Sequence, residues 1–240
     1  MQARTAVQLA RFVLVASLLA STGVFAGDKP VPANPVGAHG TWTESVTKEA
    51  AVTGQELDKR QLALIQKVSV YFNHMSDLKG VFVQTSADNK RAHGKFYVKR
   101  PGRFRFDYGP PSKLVIVSDG EYLAVLDHDL KTEDKYALDQ TPFRVLMRKD
   151  VDLLRDANIL EVQEVSDVIV LTLEDKNPDN PGRIKLYLGK KPELELKEWI
   201  TTDTQGLETR VELTEVSRVD NLDPGMFIPP SIALERIQQR

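Results

Sequence analysis

From Val81 onward, turn signals cut the sequence about every ten residues, and the pieces between them read as short β-strands. The clearest is RFRFDY (103–108), in which Phe104, Phe106 and Tyr108 point to one face and Arg103, Arg105 and Asp107 to the other. Arg100-Pro101-Gly102 precedes it, Gly109-Pro110-Pro111 stops it, and Asp119-Gly120 is a hairpin signal between KLVIVS (113–118) and EYLAVLD (121–127). Further strand patterns cover 81–85, 95–99, 135–139, 159–167, 168–174, 183–189, 194–203 and 208–220. Short connections require antiparallel pairing. A sheet of some ten strands must curl to bury one face. Only two helices are expected, over Gln55–Met75 and from Thr141-Pro142 to Leu154. They are too few for a doubly wound parallel fold. The expected class is mainly β (α+β), a strongly curved antiparallel sheet forming an incomplete barrel with a helical lid.

The ends of the chain read differently. Arg4 and Arg11 precede the apolar run FVLVASLLA (12–20), and Val24 and Ala26 place small residues before a cleavage point, so residues 1–26 are expected to be an export signal. The alternative, a retained anchor, suffers from the shortness of the run. Residues 27–55, rich in Pro, Gly and small polar residues, read as a linker. The folded domain is expected over 56–231, and 232–240 as a polar tail. The chain has no cysteine, so an exported form lacks disulfides and also the residue on which bacterial lipoproteins carry their lipid. With a net charge of −2 and well-mixed signs, nothing suggests bulk attraction to nucleic acid.

No catalytic constellation stands out. His39, His74, His93 and His128 show no metal-ligand spacing, and His93 and His128 fall in expected turns. Asp127-His128-Asp129 and Glu133/Asp134 read as polar turns. There is no nucleophile elbow and no phosphate loop. No catalytic residue, metal or cofactor is therefore expected, and the protein is not expected to be an enzyme.

A different feature carries information. Phe82, Phe96, Val98, Phe104 and Phe106 lie on the apolar faces of three successive strands and make a wide aromatic surface. The commoner meaning of such a pattern is a core packed solid by the helices. The other is a concave face that two helices cannot fill, which leaves an apolar cavity. Val117, Leu123 and Val125 from the next strands, and Phe143, Leu146 and Met147 from the second helix, complete the expected lining. Such a cavity would accept acyl chains, at about 0.8 kcal/mol per methylene buried. Arg100, at the break between two aromatic-bearing strands, has donors enough to latch a lid by its backbone carbonyls, although a surface role is the simpler reading.

VKRPGRFRFDY (98–108) and VSDGEYLAVLD (117–127) resemble the LolA family of periplasmic outer-membrane lipoprotein carriers. GVFVQ (80–84), DQTPF (139–143) and FIPP (227–230) are similar too. The resemblance implies an incomplete barrel whose helical lid covers an acyl-binding cavity. It implies Arg100 as the tie between lid and sheet, Phe104 as a residue needed for productive handling of cargo, and Phe106 in the cavity wall. The implied partners are outer-membrane lipoproteins, an inner-membrane ABC-type release complex and an outer-membrane acceptor, served by a periplasmic monomer. A long linker, the basic Arg103 and Arg105, and a polar end soon after FIPP depart from the family pattern. The alternatives are a lipid- or lipoprotein-sensing module of the same fold and a glycolipid or fatty-acid carrier.

Overall fold

A computed structural model describes residues 57–229 apart from Pro142. The expected export signal, the linker and the polar tail lie outside the described residues.

Helix α1, Lys59–Asn73, starts where Asp58 caps it. The Asp58 carboxylate accepts from the Gln61 N–H at 2.7 Å, and the Gln61 side chain accepts from the Asp58 N–H at 2.9 Å. This reciprocal pair sets the start four residues inside the expected one. Ile65, Val68 and Phe72, spaced three and four apart, form the buried face.

Eleven strands follow: β1 Leu78–Thr85, β2 Arg91–Lys99, β3 Arg103–Tyr108, β4 Leu114–Asp119, β5 Tyr122–Asp127, β6 Thr132–Ala137, β7 Ala157–Val165, β8 Val168–Asp175, β9 Arg183–Gly189, β10 Glu195–Thr202 and β11 Glu208–Arg218. They form one sheet in the order β6-β5-β4-β3-β2-β1-β11-β10-β9-β8-β7. Two antiparallel meanders are thus sewn together along β1 and β11, where Phe82 faces Leu213. β6 and β7 do not pair, so the sheet curls without closing. Register shifts interrupt β1/β11, β9/β10 and β7/β8, where an extra residue bends and twists the strand. β2 begins at Arg91, earlier than expected, because Ser86 and Lys90 close a tight turn (Ser86 N–H to Lys90 O, 3.0 Å). His93 therefore sits on a strand, not in a turn.

The chain between the two free edges supplies the lid. The expected helix over 142–154 is instead a 3-10 turn (Leu138–Gln140), helix α2 (Arg144–Met147) and helix α3 (Leu153–Asp156). The break is built in by side chains. Asn73 of α1 takes both backbone groups of Val151, with its amide donating to the carbonyl and its oxygen accepting the N–H, each at 2.8 Å. Asp152 then starts a new helix by accepting from the Arg155 N–H at 3.0 Å.

Candidate functional site

Strand β3 lays out the site. Its register places Phe106 opposite Phe96 and Phe104 opposite Val98, and cross-strand partners share a face. The rings lie over glycines. A Cβ on Gly80 would stand 2.6 Å from the Phe96 ring, and one on Gly94 would stand 2.7 Å from the Phe82 ring. These two bare positions let large rings lie flat against the sheet.

The concave face holds two apolar cavities in series, of about 80 Å³ and about 90 Å³. The first lies under the lid, between Tyr71, Met75, Val98, Leu146, Met147 and Leu196. The second lies toward the other strand ends, between Phe82, Tyr108, Leu114, Ile116, Val125 and Val211. Phe104, Phe106, Phe143 and Trp199 border both. These four rings touch in a cycle: Phe104–Phe106 at 6.0 Å, Phe106–Trp199 at 6.1 Å, Trp199–Phe143 at 6.4 Å and Phe143–Phe104 at 5.8 Å between centroids. Three belong to the sheet; Phe143 belongs to the lid.

Most of the expected lining comes together here. Phe96, Val98, Leu146 and Met147 face the first cavity, Phe82 and Val125 the second, and Leu123 packs behind Phe104 with Leu138. Val117 does not join them. It is fully buried on the convex face in a cluster with Ala124 and Leu126. Its cross-strand partner is Arg105, which points away from the aromatic face, so Ile116 takes the place expected for Val117. Trp199, central to both cavities, was not expected. The register shift between Leu196 and Glu198 puts Leu196 and Trp199 on one face although they are three residues apart.

The lid is fastened on three sides. The last carbonyls of α2 have no partner within so short a helix. The Arg100 guanidinium donates to the Leu146 carbonyl at 3.0 Å and to the Arg148 carbonyl, and the Gly102 N–H donates to the Met147 carbonyl at 3.0 Å. The β2–β3 turn thus caps the helix with a cation placed where its dipole favours one. Burial lowers the Arg100 pKa, but a guanidinium stays charged. On the second side Arg144 forms a bidentate pair with the buried Asp175 at the end of β8, at 2.8 and 2.6 Å. Burial pushes the Asp175 carboxyl up, but hydrogen bonds from Arg144, Asn177 and Asn180 outweigh it and hold the group below its ordinary value. The third side is the α1 contact, where Asn73 holds Val151 and the Ser69 hydroxyl accepts from the Leu153 N–H at 3.3 Å.

Chemically the arrangement offers hydrocarbon surface, with the uncharged polar side chains of Gln84, Tyr108, Thr201 and Thr209 in the wall of the second cavity. No Asp, Glu, Lys, Arg or His lines either cavity. No group of three or more His, Asp or Glu stands close enough to hold a metal among the described residues.

Comparison with known proteins agrees with this geometry. Residues 73–229 match the family model described as outer membrane lipoprotein carrier protein LolA. The chain belongs to the LolA family. A protein of Halorhodospira halophila named outer-membrane lipoprotein carrier protein is 29% identical over 181 residues, covering 71% of this chain and 83% of that one. A protein of the same name from Alkalilimnicola ehrlichii is 30% identical over 175 residues, covering 70% of this chain and 79% of the other. A third, from Neisseria meningitidis, is 28% identical over 178 residues, covering 70% and 83%.

Proposed function

We propose that this member of the LolA family is a periplasmic carrier. It takes the acyl chains of lipoproteins released by an inner-membrane ABC-type complex, shields them under the lid, and gives them to an outer-membrane acceptor. It acts as a monomer and breaks no covalent bond. The observation that carries the reading is an apolar space shared between the sheet and a lid that is held shut largely by polar contacts at its edge. Carriage by named relatives and the expected export signal support the route and the compartment.

Size decides what state this is. An apolar cavity of about 150 Å³ admits a ligand the size of benzene. The two spaces here, about 80 and 90 Å³, are smaller, so an acyl chain enters only when the lid moves. The energies allow it. A chain of about sixteen carbons, at about 0.8 kcal/mol per methylene, supplies about 12 kcal/mol if fully covered. The three latch bonds, two of them from a charged donor, contribute on the order of 4–6 kcal/mol. Cargo therefore opens the latch, and the re-forming latch works against cargo, so binding stays shallow enough for release.

Removing the latch should upset this balance. Arg100→Leu leaves the Leu146 and Arg148 carbonyls without their donor and favours the open form. Purified Arg100→Leu protein should take up lipoprotein normally and release it to acceptor membranes at least tenfold more slowly. Transfer at the normal rate would show that the lid is not a latch acting on cargo.

A further inference from the structure

The two cavities differ in one respect that bears on how a lipid lies in them. The first is lined mostly by hydrocarbon, its one hydroxyl, on Tyr71, accepting from the Leu196 N–H at 3.0 Å. The second ends in four polar side chains: Gln84, Tyr108, Thr201 and Thr209. They stand at the ends of β1, β3, β10 and β11 remote from the lid, and the register brings them together, with Thr201 opposite Thr209 and Gln84 opposite Val211.

Their hydrogen bonding is incomplete. The Tyr108 hydroxyl donates to the Gln84 side-chain oxygen at 2.5 Å, which orients the amide and leaves its N–H₂ as a donor. Thr201 spends its hydroxyl on the Thr209 carbonyl at 3.4 Å. The Thr209 hydroxyl is shut away from solvent and has no partner among the described residues. A buried hydroxyl without a partner costs free energy, and natural proteins rarely keep one without a use. Tyr108 is partly buried, and burial raises its pKa well above the ordinary phenol value, so it remains a neutral donor.

We propose that this polar end is a subsite for the ester junction of an acylated glycerol, so that the lipid lies lengthwise with its carbonyl at Thr209 and Gln84 and its chain pointing to the lid. The inference rests on the acyl-carrier reading and gives that cargo a direction. The hydrocarbon runs from the second cavity through the four-ring partition into the first. Phe143 is the partition's only member on the lid, so the movement that frees the latch also joins the two cavities. An ester carbonyl accepts two hydrogen bonds, and the Thr209 hydroxyl and the Gln84 amide are two donors in the wall of the same cavity. A chain inserted the other way would place its ester among Val98, Met147 and Leu196, whose side chains carry no donor.

The test compares two probes of equal length, monopalmitoylglycerol and its hexadecyl ether counterpart, which lacks the carbonyl. Their affinities for the purified protein are measured by displacement of a fluorescent fatty-acid analogue. The wild type should prefer the ester by about fivefold, the size of one or two net hydrogen bonds. Thr209→Val keeps the side-chain volume and removes the hydroxyl. It should abolish most of that preference and leave ether affinity within twofold, and Gln84→Leu should do the same. Equal binding of both probes by the wild type, or an ester preference that survives both substitutions, would overturn the orientation while leaving the acyl-binding reading intact. Binding of neither probe would remove the acyl-binding reading and the subsite with it.

Discussion

Both faces of the sheet hold buried clusters, and the two are buried in different ways. The convex face carries small, mostly aliphatic clusters. Val117, Ala124 and Leu126 form one on β4 and β5, and Val168, Val170, Tyr187 and Ile200 form another on β8, β9 and β10. The first lies beside the C-terminal 3-10 turn, Pro224–Phe227, which packs on β3 and β4 and whose Met226 carbonyl accepts from Arg105 at 3.0 Å. The concave face carries rings and long side chains that meet at their edges and leave space between them. Aliphatic groups of matched size fill volume, whereas a cycle of rings at 6 Å spacing props it open. Burial by itself therefore does not mark the binding face. Incomplete filling does.

That contrast is open to a direct challenge from substitutions on each face. Phe104→Glu should have the largest effect. It places a carboxylate among Leu123, Leu138 and Phe143, at a cost of about 4 kcal/mol. Urea denaturation should show that loss, and uptake of a fluorescent fatty acid should vanish. Retained uptake would mean that cargo does not lie against this ring. Leu126→Ala on the convex face should follow, with a loss of about 3 kcal/mol because a packed aliphatic site cannot collapse around the missing atoms. Its fatty-acid affinity should equal that of the wild type. A fall in affinity comparable to that of a concave substitution would erase the functional difference between the faces.

The sequence made the sheet legible because strict alternation fixes a strand's phase, and RFRFDY alternates without a break. It could not place Val117, since the LVIV of KLVIVS is an unbroken apolar run and offers no phase of its own. The phase comes from pairing: Phe106 meets Ile116 and Arg105 meets Val117, so the neighbouring strand decides which valine or isoleucine looks inward. Trp199 was hidden by a register shift that no local pattern announces. The lid was misread as one helix because its apolar residues keep roughly helical spacing, while the break at Val151 is imposed by Asn73, 78 residues earlier in the chain. Arg100 was legible as a donor at a strand break, but its acceptors depend on where α2 ends. Local rules thus recovered the elements, and long-range contacts settled which side chains share a space.

The smallest expected effect concerns a charge, and it sharpens the account of the convex face. Glu198 is buried there beside Tyr187 and Glu212, its cross-strand neighbours, with Lys185 and Arg210 on the flanking rows of the same face. Arg210 Nε stands 3.1 Å from one carboxylate oxygen. Burial pushes the Glu198 pKa up from 4.5 to about 7, with Glu212 adding to the rise and Arg210 opposing it. The folded state thus holds a proton that the unfolded chain gives up at lower pH. Between about pH 4.5 and pH 7 folding loses stability as pH rises, by at most about 3 kcal/mol, and above the folded pKa the loss is complete. Glu198→Gln cannot ionise, so its melting temperature should lack that decline and exceed the wild type's at pH 8, while the two proteins converge near pH 4. Parallel melting curves across this range would mean that Arg210 already neutralises the carboxylate, and that the convex face tolerates a charge as readily as an exposed surface does.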